Sequence, residues 1–314
     1  MPKSKRTLKK QGATRATTKP PRPMVKGTKS VLRANKPESL LVIGDPHSEP
    51  GHKGNLEVAE LIGKFVAQVN PSLVWCAGDL ATMNSLSSYD KGKNASVGRS
   101  YGADCIAAVA WQDRFRHWAD QSAHRPTYYL NEGNHEHRIH TALDLDNTLV
   151  GALSYSDLQF DRYWDEVCWY SGATPGVLTL PATGIIAAHY FTQGNYLRAV
   201  SGLHTASTMN RLNMVSSIQA HSHLYDHKIA RRADGQFISS LVAGCAISDR
   251  RDRDGRLLAY HNWAGAANEM WWRGICWLTN LDGQGGYDLA TIRLSSLRKM
   301  FADDRPSLRT VWPP

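Results

Sequence analysis

Acidic residues are missing from the first 36 positions of this chain, and that absence changes the meaning of its charge. The 314 residues carry a formal charge of +9, a value that would suggest polyanion binding if it were spread evenly. Residues 1–36 hold 12 of the 37 Lys and Arg and none of the 28 Asp and Glu, which leaves 25 basic against 28 acidic groups in the rest. The basicity belongs to a tail, residues 1–37, whose Lys, Thr, Pro and Gly offer too little apolar surface to offset ordering entropy; it is expected to be disordered. Long apolar runs are missing too. The basic start shows neither the apolar core of a secretory signal nor the amphipathic pattern of a transit peptide, and no later segment approaches the roughly 20 apolar residues of a membrane span. Cysteine is scarce: the five residues are far apart, odd in number and without a Cys-x-x-Cys pair, which argues against a disulfide framework and for a reducing, cytoplasmic setting. No internal repeat is apparent.

What remains, residues 38–314, has the length and apolar content for one main domain. Its centre of organisation is the stretch 128–136, an apolar run that stops at Gly133 and continues as Asn134-His135-Glu136. Two earlier apolar runs end alike, residues 39–43 at Gly44-Asp45-Pro46-His47 and residues 72–77 at Gly78-Asp79. Such strand ends are where sites are built in open α/β sheets. Residues 55–69 place Leu56, Ala59, Leu61, Ile62, Phe65, Val66 and Val69 at helical spacing with Asn55 as cap, so the chain opens as a βαβ unit. A polar loop follows at 85–101, of a length that is usually functional or mobile. Residues 103–119 read as a helix carrying Ile106, Val109, Ala110, Phe115 and Trp118. Short strands are expected at 176–180 and 184–188, the latter ending at His189, a helix at 203–212, and a strand at 215–220 ending at His221-Ser222-His223. Further strands are expected around Ile229, at 237–242, 275–278 and 290–294. Strands alternating with helices early and dominating late imply two packed sheets with helices outside.

Collected by position, Asp45, His47, Asp79, Asn134, His189, His221 and His223 are ligand-type residues that would suit two cations sharing one carboxylate. Their order and spacing, Asp45-Pro46-His47, Gly78-Asp79, Gly133-Asn134-His135-Glu136, His189 and Ala220-His221-Ser222-His223, resemble the calcineurin-like metallophosphoesterases over about residues 39–230. Residues 83–91 and 132–138 look most like phage- and prophage-encoded members, which would place the protein in a host cytoplasm. The resemblance implies a four-layer αββα sandwich of two mixed β-sheets flanked by helices. It implies a metal-dependent phosphoesterase in which Asp45, His47 and His223 hold one divalent cation, Asn134, His189 and His221 the other, and Asp79 bridges them. Manganese is the expected metal, with iron, zinc or nickel as alternatives. A hydroxide bridging the two cations would attack phosphorus, and His135 would protonate the leaving group.

The chain departs from the family pattern at Thr82, where many members carry an Asp that orients the catalytic His. It departs at Met83, where many carry a phosphate-binding Arg, so that Arg138 is the nearest substitute. Ala220 and Tyr190 replace glycines. His52, His137, His140, His204 and His227 are weaker substrate candidates, with surface solvation the plainer reading. Trp263, Trp271, Trp272 and Trp277 are expected chiefly in the core, with base stacking as the functional alternative. The basic tail favours nucleic acid as substrate, hence a phosphodiesterase or nuclease. A phosphomonoesterase or protein phosphatase, and a non-catalytic nucleic-acid-binding accessory protein with a structural metal site, are the alternatives.

Overall fold

The computed structural model describes residues 37–302 apart from Lys53 and Tyr260. The basic tail expected at 1–37 therefore lies, except for Pro37, outside the described residues.

Strand β1 (Ser39–Ile43) leads through α1 (Asn55–Val69) to β2 (Leu73–Cys76), and α2 (Tyr101–Ala119) leads to β3 (Thr127–Asn131). These three strands lie parallel and adjacent. After α3 (Arg138–Leu145) and α4 (Phe160–Tyr163), β4 (Glu166–Cys168) pairs with β3 at the sheet edge. Strands β5 (Leu178–Leu180) and β6 (Ile185–Ala187), a small β7 (Thr192–Gln193) and β8 (Arg198–Ala199) ribbon, and α5 (Thr205–Asn213) come next. They are followed by β9 (Ser216–Gln219), β10 (Tyr225–Arg231) and β11 (Phe237–Ala243). Finally β12 (Gly274–Thr279) and β13 (Asp288–Arg293) close back on β1, with α6 (Leu294–Phe301) last. One sheet has the order β13-β12-β1-β2-β3-β4, the other β10-β11-β9-β6-β5.

Side-chain alternation along these strands produces the layers. Leu40, Val42, Leu73, Trp75 and Tyr129 of the first sheet meet Leu180, Ile185, Ala187, Ile218 and Leu241 of the second in one buried cluster. The intervening residues Leu41, Ile43, Val74, Cys76, Tyr128 and Leu130 face the opposite way, against Val58, Ile62, Phe65, Trp111 and Phe115 of α1 and α2. On the far side, Met209 of α5 packs with Val242 and Ile186. These are the two mixed sheets between helices that the sequence implied. Strands β1 and β2 are apolar on both faces because both faces are covered, as parallel strands require. One polar group is built into the inter-sheet core without cost in unmade bonds: Asn131 accepts from Trp75 Nε1 at 2.8 Å and donates to the Gly176 carbonyl at 2.8 Å.

Several local expectations are corrected. Asn55 is not the cap of α1; Gly54 stands there with φ 95°, and Asn55 is turned inward, its Nδ2 donating to the His47 carbonyl at 3.3 Å. Leu56 and Ile106 are exposed, since α1 turns Val58, Ala59, Leu61, Ile62, Phe65 and Val66 inward and α2 turns Cys105, Ala108, Trp111, Gln112, Phe115 and Ala119 inward. The last strand ends at Arg293 rather than 294, because Leu294 and Leu297 begin a helix buried on that side. Strand β4 escaped notice because three residues at an edge carry no periodicity.

Candidate metal centre

Parallel pairing of β1, β2 and β3 brings their three C-terminal loops side by side, and parallel pairing of β6 with β9 does the same for His189 and His221-Ser222-His223. Both sheets deliver these ends to one edge. Backbone bonds lock them together: His47 N donates to Asp79 O at 2.8 Å, Ala220 N to His189 O at 3.1 Å and Ala246 N to Asp45 O at 2.9 Å. The glycines have a steric reason. A Cβ at Gly133 would stand 2.1 Å from Asp79 N and 2.2 Å from Asp79 Oδ1, so only glycine lets these loops approach.

All seven expected ligand residues come together, and Asp79 lies in the middle. Its Oδ2 is 3.6 Å from His47 Nε2 and 3.3 Å from His189 Nε2, while its Oδ1 accepts from the His135 amide at 2.8 Å. On one side His47 Nε2 and His223 Nε2 approach to 3.1 Å, and Asp45 Oδ2 is 3.0 Å from His223 Nε2. On the other, His189 Nε2 lies 2.9 Å from Asn134 Oδ1 and 3.2 Å from His221 Nδ1. His189 is oriented through its far nitrogen, Nδ1, 3.0 Å from the Ala77 carbonyl. Four of these residues, His47, Asp79, His221 and His223, have φ between 46° and 62°. The left-handed region costs an ordinary residue on the order of 1 kcal/mol or more, and such strain concentrates at functional sites.

Electrostatics here set burial against pairing. Burial raises the Asp45 carboxyl above its ordinary range, with His189 and His223 pulling the other way. Asp79 meets the same desolvation, but His189 and His135 outweigh it and hold its carboxyl well below the usual value. Burial lowers the His47 imidazole, and it brings His135 to about 4 and His221 to about 3. It works against charge on His189 as well, yet Asp79 and Asp45 lift that residue to about 9. The cluster thus favours positive charge on His189 between its carboxylates while keeping His47 and His221 neutral, the form in which imidazole binds metal.

His135 stands beside the seven. Its Nε2 is 3.9 Å from Asp79 Oδ2, and its Nδ1 lies 2.6 Å from the backbone carbonyl of Thr82. That carbonyl supplies the orienting partner at the position where the family often has a carboxylate. Arg138 reaches the same place: Nη1 donates to the carbonyls of Thr82 at 3.0 Å and Met83 at 3.3 Å, and Nη2 is 3.4 Å from His135 Nε2. Met83 itself is buried in the core under α1 and α2. Glu136 staples the loops, accepting from Asp79 N at 3.0 Å, Ala81 N at 2.7 Å and Gly133 N at 2.9 Å. Because the carbonyl and not the side chain of Thr82 faces His135, Thr82→Ala should leave kcat within a few-fold of wild type. The lost 3.2 Å bond from Thr82 Oγ1 to Ser48 O should cost about 1 kcal/mol in a denaturant titration. A large fall in kcat would show that the side chain, not the carbonyl, sets the imidazole.

Residues 39–238, well over half of the chain, match the family model described as calcineurin-like phosphoesterase. The chain belongs to this family. No curated protein sequence matches it significantly. As a calcineurin-like phosphoesterase it has the chemistry of metal-dependent phosphoester hydrolysis, and its donor set fits a metal: carboxylates, imidazoles and an amide oxygen converge in a buried space. Asp45 Oδ1 and His47 Nδ1 are buried without a hydrogen-bond partner among the described residues, and Asp45 Oδ2 has only the His223 imidazole beside it at 3.0 Å. The departures from the family pattern are sterically mild, since neither Ala220 nor Tyr190 has a positive φ. Tyr190 instead sets its ring 4.5 Å from that of His221.

A cavity of about 470 Å3 opens over the cluster, lined by Asp79, Asn134, His135, Arg138, His221 and His223 together with Tyr89, Lys93 and Trp263. The polar 85–101 loop thus walls the site. Of the tryptophans, Trp271, Trp272 and Trp277 pack as expected. Trp263 does not: it is 45 % exposed at the cavity mouth, its ring centroid 5.5 Å from those of His47 and His135. Among the weaker histidines, His137 stacks on Tyr170 and His140, His227 bonds Ser239 at 2.8 Å on β10, and His204 precedes α5; none of them lines this cavity. His261 was not singled out by sequence, being an isolated residue in a stretch without periodicity. It is buried with its ring 5.5 Å from that of His47.

Proposed function

We propose that the protein is a dinuclear metal-dependent phosphodiesterase acting on nucleic acid. The observation that carries this reading is the position of Asp79 Oδ2, within 3.6 Å of His47 Nε2 and 3.3 Å of His189 Nε2, between two sets of converging ligands. Asp45, His47 and His223 would hold one cation, Asn134, His189 and His221 the other, with Asp79 shared and manganese the expected metal. When bound, such cations lower the pKa of water and neutralise charge on the attacked phosphoryl group. His135 keeps Nδ1–H on the Thr82 carbonyl and so presents Nε2 to the cavity, from where it would pass a proton to the leaving oxygen after first taking one up from water. Arg138, fixed by two carbonyls, offers its remaining N–H groups to phosphoryl oxygens. The half-exposed Trp263 provides a face on which a base can stack. The likeness of residues 83–91 and 132–138 to phage-encoded members supports action in a host cytoplasm.

The test is turnover of bis-(p-nitrophenyl) phosphate, p-nitrophenyl phosphate, and single- and double-stranded DNA across a panel of divalent metals. Diester and DNA cleavage above monoester cleavage is expected. Preference for the monoester would overturn the nuclease reading, and binding of DNA without turnover of any ester would favour the accessory-protein alternative. The 12 cations of residues 1–36 give a second check. If they contact phosphates, each adds about 0.9 to the slope of log affinity against log salt for duplex DNA, so deleting them should flatten that slope while small-diester turnover is unchanged. Identical slopes would remove the main support for a nucleic-acid substrate.

A further inference from the structure

A second group of ligand-type side chains lies next to the Asp79 cluster and shares no residue with it. Glu49 and His52 follow β1 in the loop that begins with His47, and His261 opens the segment leading to Trp263. One ligand atom from each of the three falls within 4.8 Å of the others. His52 Nε2 touches one oxygen of Glu49, and His261 Nδ1 is 3.6 Å from the other, too far for a hydrogen bond. The two imidazole centroids are 4.6 Å apart.

His261 is 1 % exposed, yet neither of its ring nitrogens has a hydrogen-bond partner among the described residues; nor does Nδ1 of His52. Leaving a buried polar group unmatched ordinarily costs about 1–3 kcal/mol, so an imidazole aimed at a carboxylate from beyond hydrogen-bond range needs an explanation. We infer that Glu49, His52 and His261 form a further cation site, separate from the catalytic ligands, for a borderline divalent cation such as Zn2+. Two imidazoles and a carboxylate are a ligand set that zinc favours, with the remaining position left for water. The Asn84 amide donates to Glu49 and fixes the carboxylate's direction, as partners of metal ligands commonly do. A cavity of about 330 Å3, lined among others by Asn84, Arg99, Asp104 and Trp263, adjoins all three residues and gives a way in. His261 and Trp263 lie beyond residues 39–238, so this site draws on chain outside the span matched to the family. A cation here ties the loop that carries His47 to the segment that carries Trp263.

The experiment is a Zn2+ count on chelator-stripped full-length protein, reloaded, desalted and measured by elemental analysis, for wild type and for His261→Gln, Glu49→Gln and Asp79→Asn. The first two variants should each bind one Zn2+ per chain fewer than wild type, whereas Asp79→Asn should lose zinc elsewhere and keep this ion. Equal counts in wild type, His261→Gln and Glu49→Gln overturn the site. If Asp79→Asn alone keeps its full count, the dinuclear reading fails and this one does not. Should the variants misfold, crystals of the unmutated protein soaked in Zn2+ decide. An anomalous peak about 2.0–2.2 Å from Glu49 and both histidines supports the site, and no peak there overturns it.

Discussion

Asp79→Asn is expected to lose at least one metal ion per chain and to lower turnover by about 10²–10³ or more, the range seen when one preorganised electrostatic group is removed. The substitution is isosteric, which makes it informative. An asparagine oxygen can still accept the 2.8 Å bond from the His135 amide, so the loop geometry survives. What changes is the atom facing His47 Nε2 and His189 Nε2 at 3.6 and 3.3 Å, where an uncharged amide replaces the carboxylate that favours positive charge between the two ligand sets. Elemental analysis and turnover of a small diester are the measurements. Unchanged metal content together with unchanged rate would sink the assignment of Asp79 as the shared ligand.

His135→Asn should behave differently. The His135 ring touches the Thr82 carbonyl and Arg138, its Nε2 stands 3.9 Å from Asp79 Oδ2, and the proposed assignment gives it no place as a ligand. Its loss should lower kcat on DNA by about 10²–10⁴ while metal content stays near the wild-type value, the span typical of general acid-base catalysis. Esters of p-nitrophenol, whose leaving group needs little protonation, should suffer less. Equal losses on both substrates would reassign the residue to positioning or charge stabilisation.

The parts of this site that could be read from sequence are those that covalent order itself delivers. A parallel strand ending in glycine and then a ligand-type residue fixes where that residue goes, and Asp45, Asp79 and Asn134 follow such strands, while His189 follows the end of β6 without a glycine. Adjacency of the strands was legible for the same reason, since short βαβ connections leave few alternatives. What was not legible depends on side-chain direction or on segments without a period. Asn55 has a capping residue's chemistry but spends it on the His47 carbonyl. The orientation of His135 comes from a backbone carbonyl, which no residue type announces. His261 and Trp263 come from irregular stretches that only the tertiary fold brings beside His47. Helix α6 and strand β4 were too short for their patterns to stand out.

The proposed ligands come from both sheets, and this has a kinetic consequence. His47 and His223 are 176 positions apart in the chain, and they meet only after the two sheets have docked and the inter-sheet core of Leu40, Trp75, Ile185 and Leu241 has closed. A cation held between them stabilises the finished native state and little that precedes it. Such late-forming interactions slow unfolding and leave folding rates nearly unchanged. At a cation concentration about 100 times its Kd, the stabilisation of about 2.7 kcal/mol would make unfolding roughly 100-fold slower. Refolding in chelator should then proceed at the same rate as refolding in metal, and stopped-flow measurement of both limbs would show the difference confined to unfolding.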